Sequence, residues 1–207
     1  MANAYIDPRQ RSVVQQLMHS WIGRSELPTW ILIATVYSGW FACVVYWQTL
    51  GLFATTLLQI VLTTWYMSLQ HELIHGHPTR FPRLNQLFGT LPLAVWYPYG
   101  LYRDSHLAHH RNHTLTDPDE DPETYYLSPE RWVRLKPWQQ RVIHLRNTFP
   151  GRLLLGPLLD IAATSKKMMQ ARDRAAITMW LVHLTLLAGL LYWMQQQGSH
   201  RCGSWAR

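Results

Sequence analysis

The sequence predicts an all-α membrane protein, with about three transmembrane helices and a cytosolic helical cap rich in histidine. Three observations carry this reading. From Leu27 to Gln70 there is no Asp, Glu, Lys or Arg, a run of 44 residues, and a second such run extends from Ala175 to Ser199. Of the 19 Lys and Arg residues, 14 lie between those two runs. Seven of the 11 histidines fall in two short clusters, HELIHGH at 71–77 and HLAHHRNH at 106–113.

Residues 1–28 form an N-terminal cytosolic or interfacial segment. Val13, Val14, Leu17, Met18, Trp21 and Ile22 fall on one side of a helix, a pattern that suits an interfacial anchor or an ordinary packed helix. No secretory signal is expected, because the first apolar run starts late and lacks a cleavage site.

Residues 29–70 read as a transmembrane hairpin. At about 1.5 Å per residue the charge-free run is long enough for two crossings of a roughly 30 Å hydrocarbon core. Trp30 to Trp47 is the first span and Leu52 to Leu69 the second, with Gln48, Thr49 and Gly51 marking the turn. Buried helices of a soluble domain are the alternative for such runs.

Residues 71–175 form the cytosolic cap. Within it, Leu84 to Val95 is moderately apolar, and Trp96-Tyr97-Pro98-Tyr99 reads as an aromatic belt at headgroup level or as an acyl entrance. Residues 176–195 hold the third span, from about Ile177 to Met194, and 196–207 is a polar tail.

Basic residues concentrate on the cytoplasmic side of membrane proteins. That rule places the N-terminus and the 71–176 segment in the cytoplasm and the 48–51 turn outside. The net charge of +7 is then explained by a loop facing anionic headgroups, and no nucleic-acid partner is needed. Cys43 and Cys202 form no motif, which argues against a disulfide scaffold or an iron–sulfur site.

The histidine clusters carry the chemistry. His71 and His75 are one helical turn apart and share a face. Gly76 is expected to end that regularity; His77 would point elsewhere if the helix continued, and is the weaker ligand candidate of the three. His106, His109, His110 and His113 have the spacing i, i+3, i+4, i+7, which on a continuous helix places all four on one side. Two metals compete for this pattern. HELIH fits H-E-x-x-H, in which two histidines bind zinc and Glu72 acts as general base. Such a site needs only one further ligand, however, and has no use for the dense second cluster. An imidazole-rich set on this scale suits more than one metal ion, and suits iron.

H-x-x-x-H at 71–75 and H-x-x-H-H at 106–110 resemble the first two histidine boxes of the integral-membrane fatty acid desaturases and related hydroxylases. The run LYRDSHLAHHRNHTLTDPDEDPETYY at 101–126 is similar to bacterial acyl desaturases in particular, and the resemblance covers roughly residues 28–195. It implies two iron ions that activate O2 to oxidise an unactivated C–H bond of an acyl lipid, at a site on the cytoplasmic face of a bacterial inner membrane. His71, His75, His106, His109 and His110 are the implied iron ligands; His113 joins them on spacing alone. No residue is assigned a catalytic role beyond metal binding.

Electrons must come in trans from a ferredoxin- or cytochrome-type donor, because the chain carries no heme or ferredoxin-like segment. Glu72, Asp104, Asp117, Asp119, Glu120 and Asp121 are candidate acceptors for the second ring nitrogens of the ligands. The acidic run 117–123 also reads as a solvated loop broken by Pro118 and Pro122.

The family pattern includes a third histidine box after a further pair of crossings. The only later histidines are His144, isolated in the cap, His183, within the third span, and His200, in the tail. The sequence is therefore read as truncated before the third box, with its irons incompletely ligated. Three readings follow: a di-iron acyl-lipid desaturase, a membrane zinc protease using Glu72, and a non-catalytic metal-binding fragment. Iron against zinc content separates the first two, and O2-dependent lipid products separate the first from the third.

Overall fold

The computed structural model describes residues 7–121, 123–124, 126–170 and 173–202. Among these there are twelve helices and no strand. Three helices are long and apolar enough to cross a membrane: Leu27–Val45, Leu52–Ile74 and Arg174–Gln197. Each contains one of the expected spans almost entirely. The chain divides into two compact units, residues 1–89 with 192–207, and residues 90–191.

In the first unit, α1 (Pro8–His19) starts at a capping box. The Asp7 side chain accepts from the Gln10 amide, and the Gln10 side chain accepts in return from the Asp7 amide. It buries no residue, and Val13, Val14, Leu17 and Met18 are exposed. The packed-helix alternative is therefore not realised among the described residues. After the short α2 (Trp21–Ser25), α3 (Leu27–Val45) opens with a proline in its first turn, where the missing N–H has no helical partner to lose. The expected turn is itself a helical turn, α4 (Trp47–Leu50), closed by Gly51. α5 (Leu52–Ile74) then runs antiparallel to α3, with Val36, Tyr66 and Leu69 fully buried.

Hydrogen bonds from within the hairpin fix the next element, α6 (Pro82–Thr90). The last carbonyls of a helix lack intrahelical donors. Here Tyr37 Oη donates to the Phe88 carbonyl. The Gly89 carbonyl accepts from both Tyr66 Oη at 2.8 Å and Gln70 Nε2 at 2.9 Å. Buried Asn85 is held in turn by Thr79, whose hydroxyl donates to Asn85 Oδ1 at 2.7 Å and whose carbonyl accepts from Asn85 Nδ2 at 2.9 Å. Two residues of this set, Tyr66 and Gln70, lie on α5 just before His71, so the network also fixes the end of the helix that carries the first histidine cluster.

In the second unit, the segment before α7 (Tyr99–Arg111) is tied down by side chains. Ser165 Oγ donates to the Trp96 carbonyl at 3.2 Å, and His183 Nε2 lies 3.2 Å from the Val95 carbonyl. Tyr99 is buried and Trp96 and Tyr97 are half-buried, so this aromatic run is in part packed within its own unit. Gly100 permits a close approach: a Cβ there would meet Met179 Sδ at 2.7 Å.

Beyond an acidic loop come α8 (Pro129–Arg134), α9 (Pro137–Arg146), α10 (Phe149–Leu154) and α11 (Gly156–Gln170). The last helix, α12 (Arg174–Cys202), continues past the expected third span into the polar tail. Residues 203–207 of that tail, and Pro122 of the acidic run, lie outside the described residues.

Candidate metal centre

The first histidine cluster rides the C-terminal end of α5, as its spacing predicts. His71 lies in the last turn and His75 is the residue that caps it. Their ring centroids are 4.6 Å apart. Gly76, at φ +91°, turns the chain out of the helix in a conformation that side chains other than glycine rarely adopt. His77, beyond that turn, pairs through Nδ1 with Glu26 Oε1 at 3.0 Å. Its place is thus explained by this contact to the residue that precedes α3. Glu72 Oε1 stands 3.5 Å from His71 Nδ1, and both side chains are more than two-fifths exposed.

The second cluster sits on α7, in the other unit. His106 is buried, with its side chain 8 % exposed, and its Nδ1 meets Glu123 Oε2 at 3.0 Å. A carboxylate accepts, so Nδ1 carries the proton and the Nε2 lone pair is left for a cation. That Nε2 lies 3.0 Å from His110 Nε2. At metal–nitrogen distances of about 2.0–2.1 Å, these two nitrogens are close enough that they would hold one ion together. His109 Nδ1 meets Asp121 Oδ1 at 2.7 Å, and the Asp121 side chain is 2 % exposed. As in His106, the carboxylate accepts at Nδ1 and leaves Nε2 as the outward-facing nitrogen of His109.

The acidic run is what supplies these acceptors, and it is a folded loop. Asp117 Oδ1 accepts from the amides of Asp119 and Glu120 at 2.8 and 2.9 Å. Asn112 Nδ2 donates to the Glu120 carbonyl, and Thr114 Oγ1 to the Glu120 carboxylate. Asp119 pairs with Arg131 at 2.6 Å. Asp121 accepts from His109 and the Glu123 amide on Oδ1, and from the Thr116 amide on Oδ2 at 2.8 Å. Burial pushes the Asp121 carboxyl up, but the hydrogen bonds from Glu123, His109 and Thr116 outweigh it and hold it at about 2. The run is thus a folded loop that is still largely solvated: Asp119, Glu120 and Glu123 are exposed, and Asp121 is buried.

Of the six expected acceptors only Asp121 engages a ring nitrogen at close range. Asp104 is taken by Arg103 at 2.7 Å, and Asp117, Asp119 and Glu120 build the loop. Glu123, not among the expected acceptors, serves His106. Tyr102 was also unforeseen: its ring lies 5.8 Å from His106 and 6.0 Å from Tyr97. Burial pushes its hydroxyl up to about 12, aided by Tyr97, Glu123 and Tyr99, so it stays neutral beside the histidines. The i+7 face does not extend to His113, because α7 ends at Arg111 and Asn112 is extended; His113 is exposed.

His144 packs edge-on against Trp132 at 5.1 Å, and His183 is buried in α12, 6.0 Å from Trp180. Both have structural places apart from the two clusters. The donor set on each cluster is imidazole alone, with carboxylates behind two of the rings. That chemistry fits an imidazole-bound transition metal such as iron.

A family model described as fatty acid desaturase matches residues 47–205. Among curated proteins, the chain is 33 % identical over 130 residues to an endoplasmic-reticulum acyl-lipid omega-3 desaturase (cytochrome b5) of Arabidopsis thaliana, covering 62 % of this chain and 30 % of that protein. It is 29 % identical over 108 residues to a chloroplastic temperature-sensitive sn-2 acyl-lipid omega-3 desaturase (ferredoxin) of the same plant, covering 50 % of this chain and 23 % of that one. The matched residues thus span less than a third of either relative's length. No solved structure matches.

Proposed function

We propose, from the premise that the chain belongs to the fatty acid desaturase family, that it takes part in acyl-lipid desaturation, with the two histidine clusters as ligands of iron. The observation that carries the reading is the family match over 47–205, which contains both clusters and the carboxylate-backed rings of the second. His71, His75, His106, His109 and His110 are the proposed ligands, with His113 as a candidate on sequence spacing alone. A bound iron pair would supply the oxidising power for an alkyl C–H bond, which side chains alone do not possess. The balanced reaction converts –CH2–CH2– of an acyl chain, O2, two electrons and two protons into –CH=CH– and two waters.

In this scheme the residues of the chain hold and orient. Glu123 and Asp121 keep the Nδ1 protons of His106 and His109 in place, so both Nε2 lone pairs remain available. Tyr102, neutral and packed beside His106, limits the volume around that ring. The relatives are named for cytochrome b5 and for ferredoxin as donors. We place an electron carrier of one of these two classes as a partner in trans here as well. The distribution of basic residues supports a cytoplasmic position for both clusters.

H-E-x-x-H protease chemistry gains no support, since the family match accounts for His71 and His75 without it. The test is lipid analysis by mass spectrometry in a host expressing the chain with a donor, under O2 and without it, alongside metal content of the purified protein. New unsaturated acyl lipid that requires O2, with iron in place of zinc, is the expected result. Zinc with no O2-dependent lipid product would refute the proposal.

A further inference from the structure

In the second unit, α9 ends at Arg146, α10 starts at Phe149 and α11 at Gly156. The two tight turns between them leave a pocket of about 240 Å³ lined by Arg146, Asn147, Arg152, Gly156, Pro157 and Asp160. Arg146 is mostly buried, its side chain 16 % exposed, and its Nη2 bonds Asp160 Oδ1 at 2.5 Å. The Arg152 side chain makes no ion pair or hydrogen bond among the described residues. Two guanidiniums against one carboxylate leave one net positive charge in a concave site that also offers the Asn147 amide. One singly charged phosphodiester matches that charge and the donor geometry of arginine.

The surroundings say which phosphodiester. Phe149, Leu153, Leu154 and Leu158 are all about two-thirds exposed or more. Each lies within two residues, along the chain, of a residue that lines the pocket. In water such a set is a liability, whereas at the surface of a bilayer it is the ordinary apolar face of an interfacial helix. The chain has three helices able to span a membrane, so the bilayer is at hand.

We infer that the Arg146–Arg152 pocket binds the phosphate of an anionic membrane phospholipid, with α10 and the start of α11 lying in the interface and their exposed apolar side chains beside its acyl chains. This rests on the membrane character of the chain alone, independently of metal or desaturation.

The experiment is native mass spectrometry of the full chain in detergent, titrated with phosphatidylglycerol or phosphatidylcholine. Phosphatidylglycerol is expected to bind more tightly, and Arg152→Gln to weaken it about fivefold or more, as removal of one arginine at a membrane surface should. Arg134→Gln, at the exposed end of α8 outside the pocket, should leave binding within about twofold. A Leu153→Ser, Leu154→Ser double variant should weaken phosphatidylglycerol further while keeping the preference for the anionic headgroup.

Three results would overturn the inference. One is equal losses from Arg152→Gln and Arg134→Gln, which means diffuse attraction. Another is displacement of the lipid by millimolar inorganic phosphate, which marks a free-anion site. The third is equal binding of the two lipids. Arg152 holds no other side chain among the described residues, and an unchanged thermal midpoint for Arg152→Gln checks that folding is intact.

Discussion

The two histidine clusters differ in what stands behind them. On α7 the rings of His106 and His109 are held by carboxylates at 3.0 and 2.7 Å, one of them almost wholly buried and fixed by two backbone amides. On α5 the carboxylate beside His71 is 3.5 Å away and largely in solvent. Charge-assisted hydrogen bonds in a buried setting contribute about 1.5–3 kcal/mol each, whereas exposed pairs contribute about 0–1. The second cluster is therefore organised by protein alone. The first is organised at its backbone, by the bonds from Tyr66 and Gln70 to α6.

The comparison breaks most visibly if ligands are removed. His110→Ala and His71→Ala should each bring bound iron close to background, while His144→Ala, whose ring packs on Trp132, should leave it nearly unchanged. Metal analysis of the purified variants measures this, and equal losses from all three would dissolve the assignment. A second measurement sharpens the contrast between the clusters. Asp121→Asn should weaken iron binding about 10- to 100-fold, as loss of an outer acceptor commonly does. Glu72→Gln should change it by less than about threefold, given its exposed and longer contact. Iron affinity from competition with a chelator gives both numbers, and a larger loss at Glu72 would reverse the comparison.

Smaller effects fall on the scaffold. Tyr66→Phe removes one donor from the Gly89 carbonyl and the partner of Gln70 Nε2 at 3.2 Å, and should cost about 1–2 kcal/mol. Gly76→Ala forces a side chain onto φ +91° and should cost about 1 kcal/mol. Thermal unfolding in a single detergent ranks them, and an unchanged midpoint for Tyr66→Phe would show that the α6 carbonyls find other donors.

The spans were legible because charge is costly inside a bilayer, so its absence over 44 residues left few other readings. The histidines were legible for a similar reason, since two dense clusters of titratable rings need a common purpose. The carboxylates behind them were not. Asp117, Asp119, Glu120, Asp121 and Glu123 lie within seven residues and are chemically alike. What separates builder from acceptor is the loop's own hydrogen bonding, set by Asn112, Thr114 and the left-handed Thr116. The shared face expected to reach His113 stops short on the same scale: one extended residue, Asn112, cancels a periodicity that assumes an unbroken helix. The anchoring of the aromatic run was not legible either, because the bonds from Ser165 to the Trp96 carbonyl and from His183 to the Val95 carbonyl come from 69 and 88 residues away.

Gln70 faces two opposing demands. During insertion, each residue of a nascent span is judged by its affinity for lipid, and a leucine in place of this glutamine would ease the passage of α5 out of the translocon. Once the unit is folded, the same amide is a donor to the Gly89 carbonyl and a neighbour of Tyr66 Oη. A Gln70→Leu chain should thus enter the membrane at least as readily and yet hold α6 more loosely.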